Sequence, residues 1–206
     1  MAITTIVFDI GRVLFEYNPG KIIDTILPQT SYRDAYMAHL FLAEIWQELD
    51  RGMITEAQAI ATLAQISSDS EWANGLPLLL DRFVYELDLI EKSKSIFLSV
   101  QKRYPVYLLS NFQSDPFDKL VQAHPFLALA NGAVVSAKIR MMKPEPAIYT
   151  HLLTTYSLNP AETLFIDDLV ENIEGAKAAG MHGVVFTDPD QLIADLKTFE
   201  IICDDI

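Results

Sequence analysis

Short apolar runs ending in polar residues recur along the chain: residues 4–9 (TTIVFD), 106–111 (VYLLSN), 132–137 (GAVVSA), 163–168 (TLFIDD) and 183–188 (GVVFTD). Each is too short for a helix, and its β-branched or apolar make-up predicts a buried strand. Between the later runs, apolar positions recur at helical spacing over 90–101, 116–123, 147–156 and 170–179, the last stopped by Gly180. Strands alternating with helices predict an α/β fold, a Rossmann-like parallel sheet covered on both faces.

The stretch 18–85 has another texture. It holds no strand-like run, and 22–26, 32–49 and 55–65 carry helical spacing, broken at Pro28, Gly52 and Gly75-Leu76-Pro77. Thr55 followed by Gln58 fits a capping box. One β-to-α crossover needs far fewer residues than this. The expected organisation is an α/β core domain of residues 1–17 and 86–206, interrupted by a helical cap domain of 18–85. The alternative is that these helices simply cover the sheet.

Composition narrows the function classes. The 206 residues correspond to one or two domains, at ~150 residues each. Half of them are hydrophobic, which excludes disorder over most of the chain. Lys and Arg number 15 against 28 Asp and Glu, a net charge of −13 that repels nucleic acid but leaves room for a small anion pocket. The single cysteine, Cys203, excludes a disulfide framework and a cysteine zinc site. The opening MAITTIVFDI lacks a basic region and does not fit a signal peptide. No run approaches the ~18 apolar residues of a membrane span. CDDI at the end is a poor prenylation signal. A cytoplasmic protein without nucleic-acid or membrane partners is expected. Its oligomeric state is not legible.

Parallel sheets place ligands at the carboxyl ends of their strands. The first strand delivers Asp9 there, with Gly11 permitting a sharp exit or a close backbone approach. The second delivers Ser110-Asn111, a hydroxyl and backbone N–H groups suited to phosphate oxygens. Lys143 precedes Pro144, which holds it extended ahead of a helix with its ammonium free to reach an anion. The fourth strand ends in Asp167-Asp168, two carboxylates that repel unless a cation or a lysine lies between them, and such oxygen clusters suit Mg²⁺. Taken singly, these residues also fit a helix cap, a turn, a solvated lysine and an Asp cap beside a solvated neighbour. His39, His124, His151 and His182 show no metal-ligand spacing.

In this order VFDIGRVL, LLSN, MMKPEPAIY and FIDDLVENIEGAKAAG resemble the motifs of the haloacid dehalogenase (HAD)-like hydrolase superfamily. The likeness covers nearly the whole chain. The insertion resembles that family's helical cap, and EIWQELDRGMITEAQA with the FIDD ending is most similar to the sugar-phosphate phosphatase branch. That branch includes the glucose-1-phosphate phosphatases and the N-terminal domain of epoxide hydrolases. The resemblance implies that Asp9 is the nucleophile, forming an aspartyl-phosphate. It implies that Ser110 and Lys143 hold the phosphoryl oxygens, with Asn111 helping through its backbone. Mg²⁺ would be held by Asp9, the Gly11 carbonyl and Asp168, with Asp167 a further ligand or a partner of the metal or of Lys143.

Family phosphatases usually carry Asp two residues after the nucleophile, as the general acid and base. Here that position is Gly11, which cannot give a proton to a leaving alkoxide. The rate is therefore expected to depend steeply on leaving-group pKa, and Glu16, Tyr17 and Asp167 are the other candidate proton sources. The expected function is a Mg²⁺-dependent phosphatase of a small phosphorylated metabolite, a sugar phosphate by resemblance. The alternatives are a metal-independent 2-haloacid dehalogenase and a catalytically impaired HAD-like binding protein.

Overall fold

The structure, a computed structural model, describes residues 2–202, so Cys203 and the rest of CDDI lie outside the described residues. Its strands are β1 (Thr5–Phe8), β2 (Phe15–Glu16), β3 (Asp88–Leu89), β4 (Val106–Ser110), β5 (Gly132–Val135), β6 (Thr163–Asp167) and β7 (His182–Val185). The α-helices are α1 (Pro19–Ile26), α2 (Arg33–Tyr36), α3 (Glu44–Arg51), α4 (Glu56–Leu63), α5 (Ser70–Arg82), α6 (Glu91–Gln101), α7 (Ser114–Ala123), α8 (Ser136–Ile139), α9 (Pro146–Thr155), α10 (Val170–Ala178) and α11 (Pro189–Thr198). A π-helical turn, Met37–Phe41, continues α2.

Five strands form a parallel sheet in the order β5-β4-β1-β6-β7. All four residues of β1 are buried, as a central strand with both faces covered requires. The chain builds outward from β1 through β4 to β5, then returns to the other side of β1 for β6 and β7. That reversal opens a crevice at the strand ends between β1 and β6, the place where such sheets bind ligands.

Helices α1–α5 lie between β2 and β3, which pair as a short antiparallel ribbon where the chain leaves the sheet and returns to it. Their buried residues, among them Tyr36, Trp72 and Leu76, join one apolar cluster with Phe8, Phe97 and Ile166 of the sheet side. The Thr55–Gln58 capping box opens α4. No helix among the described residues is long and apolar enough to cross a membrane.

Several expected boundaries move. The run 132–137 ends as a strand at Val135 and turns into α8, and the last strand ends at Val185. The single helix expected over 32–49 is α2, the π turn and α3, parted at Leu42-Ala43. Phe41 and Trp46 would point about 140° apart on a continuous helix. The break lets their rings pack at 4.7 Å. Pro77 does not break the helix but sits within α5 on its exposed side. Water there can satisfy the carbonyl that proline leaves without a donor, and burial of Trp72, Leu76, Leu79 and Leu80 offsets the ~3 kcal/mol cost of an interior proline.

Candidate active site

Register explains why the candidate residues converge. Phe8 pairs across to Leu108 on one side and to Ile166 on the other. One residue further, Asp9, Leu109 and Asp167 therefore stand level at the ends of three adjacent strands. Ser110 and Asp168 follow at the next level.

Lys143 fills the point where they meet. Its ammonium is 2.8 Å from Asp9 Oδ1 and 2.6 Å from Asp167 Oδ2, and it donates to the Leu109 carbonyl at 3.0 Å. Lys143 is not a solvated lysine: it is 4% exposed, lines the cavity and its ammonium reaches two carboxylates. Asn111 fixes the lysine by its side chain. Its Oδ1 accepts from the Lys143 N–H at 2.8 Å and its Nδ2 donates to the Lys143 carbonyl at 3.0 Å.

The remaining oxygen of Asp167 accepts from the Leu169 N–H and from Asn172 Nδ2, each at 2.9 Å. Both its oxygens thus face protein donors, and Asp167 serves as the buried partner of Lys143. Asp168 points elsewhere, with Oδ2 3.5 Å from Arg12 Nη1. One oxygen each of Asp9, Asp167 and Asp168 lies within 4.8 Å of the others.

The electrostatics follow from burial. Desolvation pushes the Asp9 carboxyl up to about 7, with Lys143 opposing the rise and Asp167 adding to it. Burial and then Asp167 raise Asp168, against Arg12 and Lys143. Burial alone would lower Lys143, but Asp9 and Asp167 together lift it above its ordinary value. Three carboxyl groups against one buried ammonium leave an excess of negative charge that a hard cation would offset.

A cavity of about 270 Å³ opens over this cluster. Asp9, Gly11, Ser110, Asn111, Lys143 and Asp168 line its floor. Its walls include Tyr17, Phe41, Trp46, Phe83 and Phe112, and Asp50 of α3 reaches it from the helical segment. Glu16 is exposed and lines a neighbouring hollow. Sequence reasoning missed Arg12, the aromatic walls other than Tyr17, and Asp50. A signal for Asp50 exists: it falls four residues after Trp46, on the face of α3 that Trp46 and Leu49 bury.

A family model described as haloacid dehalogenase-like hydrolase matches residues 3–180. A sesquiterpene phosphatase of Aspergillus oryzae is 30% identical over 88% of this chain and 89% of its own. A D-ribitol-5-phosphate phosphatase of Bacteroides thetaiotaomicron is 25% identical over 86% of this chain and 89% of its own. A HAD-family enzyme from Bacteroides thetaiotaomicron, solved with magnesium and inorganic phosphate, superposes with a TM-score of 0.75. At 22% identity the match covers 93% of this chain and 99% of that one, and it shows a shared fold.

Proposed function

As the chain belongs to the haloacid dehalogenase-like hydrolases and is a phosphatase of that family, we propose that it hydrolyses a small phosphorylated metabolite with Mg²⁺ through an aspartyl-phosphate at Asp9. The observation that carries this reading is the convergence of Asp9, Lys143 and Asp168 on one cavity at the switch point of the sheet. Asp9 is oriented by Lys143, which also offsets its charge as the phosphate approaches. Ser110 and Lys143 bind phosphoryl oxygens.

The donor set fits a hard divalent cation, being oxygen-rich and short of positive charge. Asp9, Asp168 and the Gly11 carbonyl would hold it, while Asp167 holds Lys143 in place. When bound, the ion supplies charge neutralisation to nucleophile and phosphate. Helices α1–α5 act as the cap that excludes water and selects the leaving group.

The sugar-phosphate class is supported by the relative that acts on ribitol 5-phosphate. The aromatic walls favour a second class, an ester with an apolar leaving group, in keeping with the sesquiterpene phosphatase. The test is a screen of sugar and prenyl phosphates, with p-nitrophenyl phosphate as reference, in Mg²⁺ and after EDTA. Activity is expected to vanish in EDTA and to return with Mg²⁺, and Asp168→Ala should lose most of it. Full turnover in EDTA would overturn the reading, and dechlorination of 2-chloropropionate in EDTA would replace it with the dehalogenase.

A further inference from the structure

The proposed reaction lacks a proton donor for the leaving group, and the cavity contains one that the motifs do not indicate. Of the cavity's carboxyl groups, Asp9 and Asp168 are committed to nucleophile and cation. The third is Asp50, delivered by α3 of the helical segment. We propose, resting on the phosphatase reading, that Asp50 is the general acid that protonates the leaving-group oxygen, replacing the acid absent at Gly11.

The surroundings of Asp50 suit that task. No lysine or arginine among the described residues pairs with its carboxyl, unlike Asp9 and Asp168. The Gln113 carboxamide, 4% exposed and with neither its oxygen nor its nitrogen hydrogen-bonded, is the polar group that acts on it. An amide can accept from a carboxylic O–H and donate to its carbonyl, so a shift of either side chain into contact would align the acid without forcing it to ionise. Burial lifts Asp50 well above the usual carboxylate range, with Gln113 opposing the rise. Its backbone is fixed as well. Ser136 Oγ donates to the Asp50 carbonyl, and Arg51 Nη2 pairs with Glu145 at 2.6 Å. Gly52 then brings the backbone so close to α8 that a Cβ there would lie 2.4 Å from the Ala137 carbonyl.

The other candidates fit less well. Asp167 is held on both oxygens by Lys143, Leu169 and Asn172. Glu16 lines the neighbouring hollow. Tyr17 has a buried hydroxyl without a partner, but burial and then the charge of Asp50 push its phenol upward, making it a poorer acid.

The step balances as follows. The Asp9 carboxylate forms a bond to phosphorus while the bond to the leaving oxygen breaks, its electron pair staying on that oxygen. The Asp50 proton moves to the same oxygen, giving a neutral alcohol and an Asp50 carboxylate. Water then attacks phosphorus in the aspartyl-phosphate, returns one proton to Asp50, and releases inorganic phosphate and free Asp9.

A general acid matters in proportion to the basicity of the leaving group, and contributes ~10²–10⁴-fold for a poor one. The experiment measures kcat and KM of wild type, Asp50→Asn and Asp50→Glu in Mg²⁺, across p-nitrophenyl, phenyl and alkyl phosphates including glycerol phosphate. For wild type, log kcat/KM, which reports the leaving-group step and not hydrolysis of the shared aspartyl-phosphate, should fall only shallowly with leaving-group pKa. Asp50→Asn, nearly isosteric, should steepen the slope, losing ~10²–10⁴-fold on alkyl esters and far less on p-nitrophenyl phosphate. Asp50→Glu should recover part of the loss. The p-nitrophenyl rate also reports that the variant is folded. An equal loss of kcat/KM on all esters would mean a structural or binding role and overturn the assignment. A steep wild-type slope that Asp50→Asn leaves unaltered would overturn it too. Absence of any Mg²⁺-dependent ester hydrolysis by wild type would remove the phosphatase reading itself and this assignment with it.

Discussion

Lys143 is placed to serve both stability and the proposed chemistry. It is buried, and it separates two carboxylates that would otherwise repel. Removing one member of a buried ion cluster costs about 3–5 kcal/mol, because the remaining charges are left unpaired in a poor solvent. Lys143→Ala is therefore expected to lower unfolding free energy by about that much in urea titrations. Adding Asp167→Asn should recover part of the loss. A loss below about 1 kcal/mol, the range of an exposed pair, would contradict this picture. The residue types were legible: an Asp, a Lys and an acidic pair sit where strand ends and a proline place them. What was not legible was which acid Lys143 would bind. That depends on the level register of β1, β4 and β6, which only the assembled sheet fixes.

Among the elements, the parallel strands were legible because continuous apolar runs have one comfortable place, a sheet covered on both faces. The helices of 18–85 were less so, because their limits are set by contacts between residues far apart in sequence. Gly75 and Pro77 look like a break, yet α5 runs through both. Gly75 is there because Tyr36 crosses α5 at that point. Tyr36 stacks on Trp72 at 4.7 Å and donates to the Glu71 and Trp72 carbonyls. A Cβ on Gly75 would lie 2.0 Å from the Tyr36 hydroxyl. Alanine gains about 1 kcal/mol of helix propensity over glycine, but overpacking costs about 1–3 kcal/mol and disturbs three contacts together. Gly75→Ala should lower the urea midpoint, and a raised midpoint would show that the helix, not the crossing, governs this position. Asp50 escaped the sequence reading for the same kind of reason. A lone acid near the end of a short helix reads as solvated until α3 is docked against α8.

For the whole molecule, the net charge of −13 and an anionic substrate are compatible because the charges are segregated. Lys143, with the cation proposed at Asp9 and Asp168, would make the floor of one cavity locally attractive to phosphate. Most of its aromatic walls come from another part of the chain, Phe41 and Trp46 from the helical segment and Phe83 beside it, while Phe112 follows Asn111 of the floor. Substrate choice and phosphoryl chemistry should therefore respond to different substitutions. Trp46→Ala should raise KM for esters with large leaving groups more than for acetyl phosphate, with smaller effects on kcat. Equal effects on both would place Trp46 in the packing of the fold rather than in selection.

The central claim is that the phosphoryl group passes to Asp9, and replacing that oxygen nucleophile tests it most directly. Asn has nearly the shape of Asp but is a poor nucleophile. The measurement is p-nitrophenyl phosphate hydrolysis by Asp9→Asn beside wild type in saturating Mg²⁺, with thermal unfolding of both recorded and deamidation excluded by intact mass. The account predicts turnover no faster than the uncatalysed reaction in a variant that still unfolds cooperatively. Turnover within tenfold of wild type would contradict it.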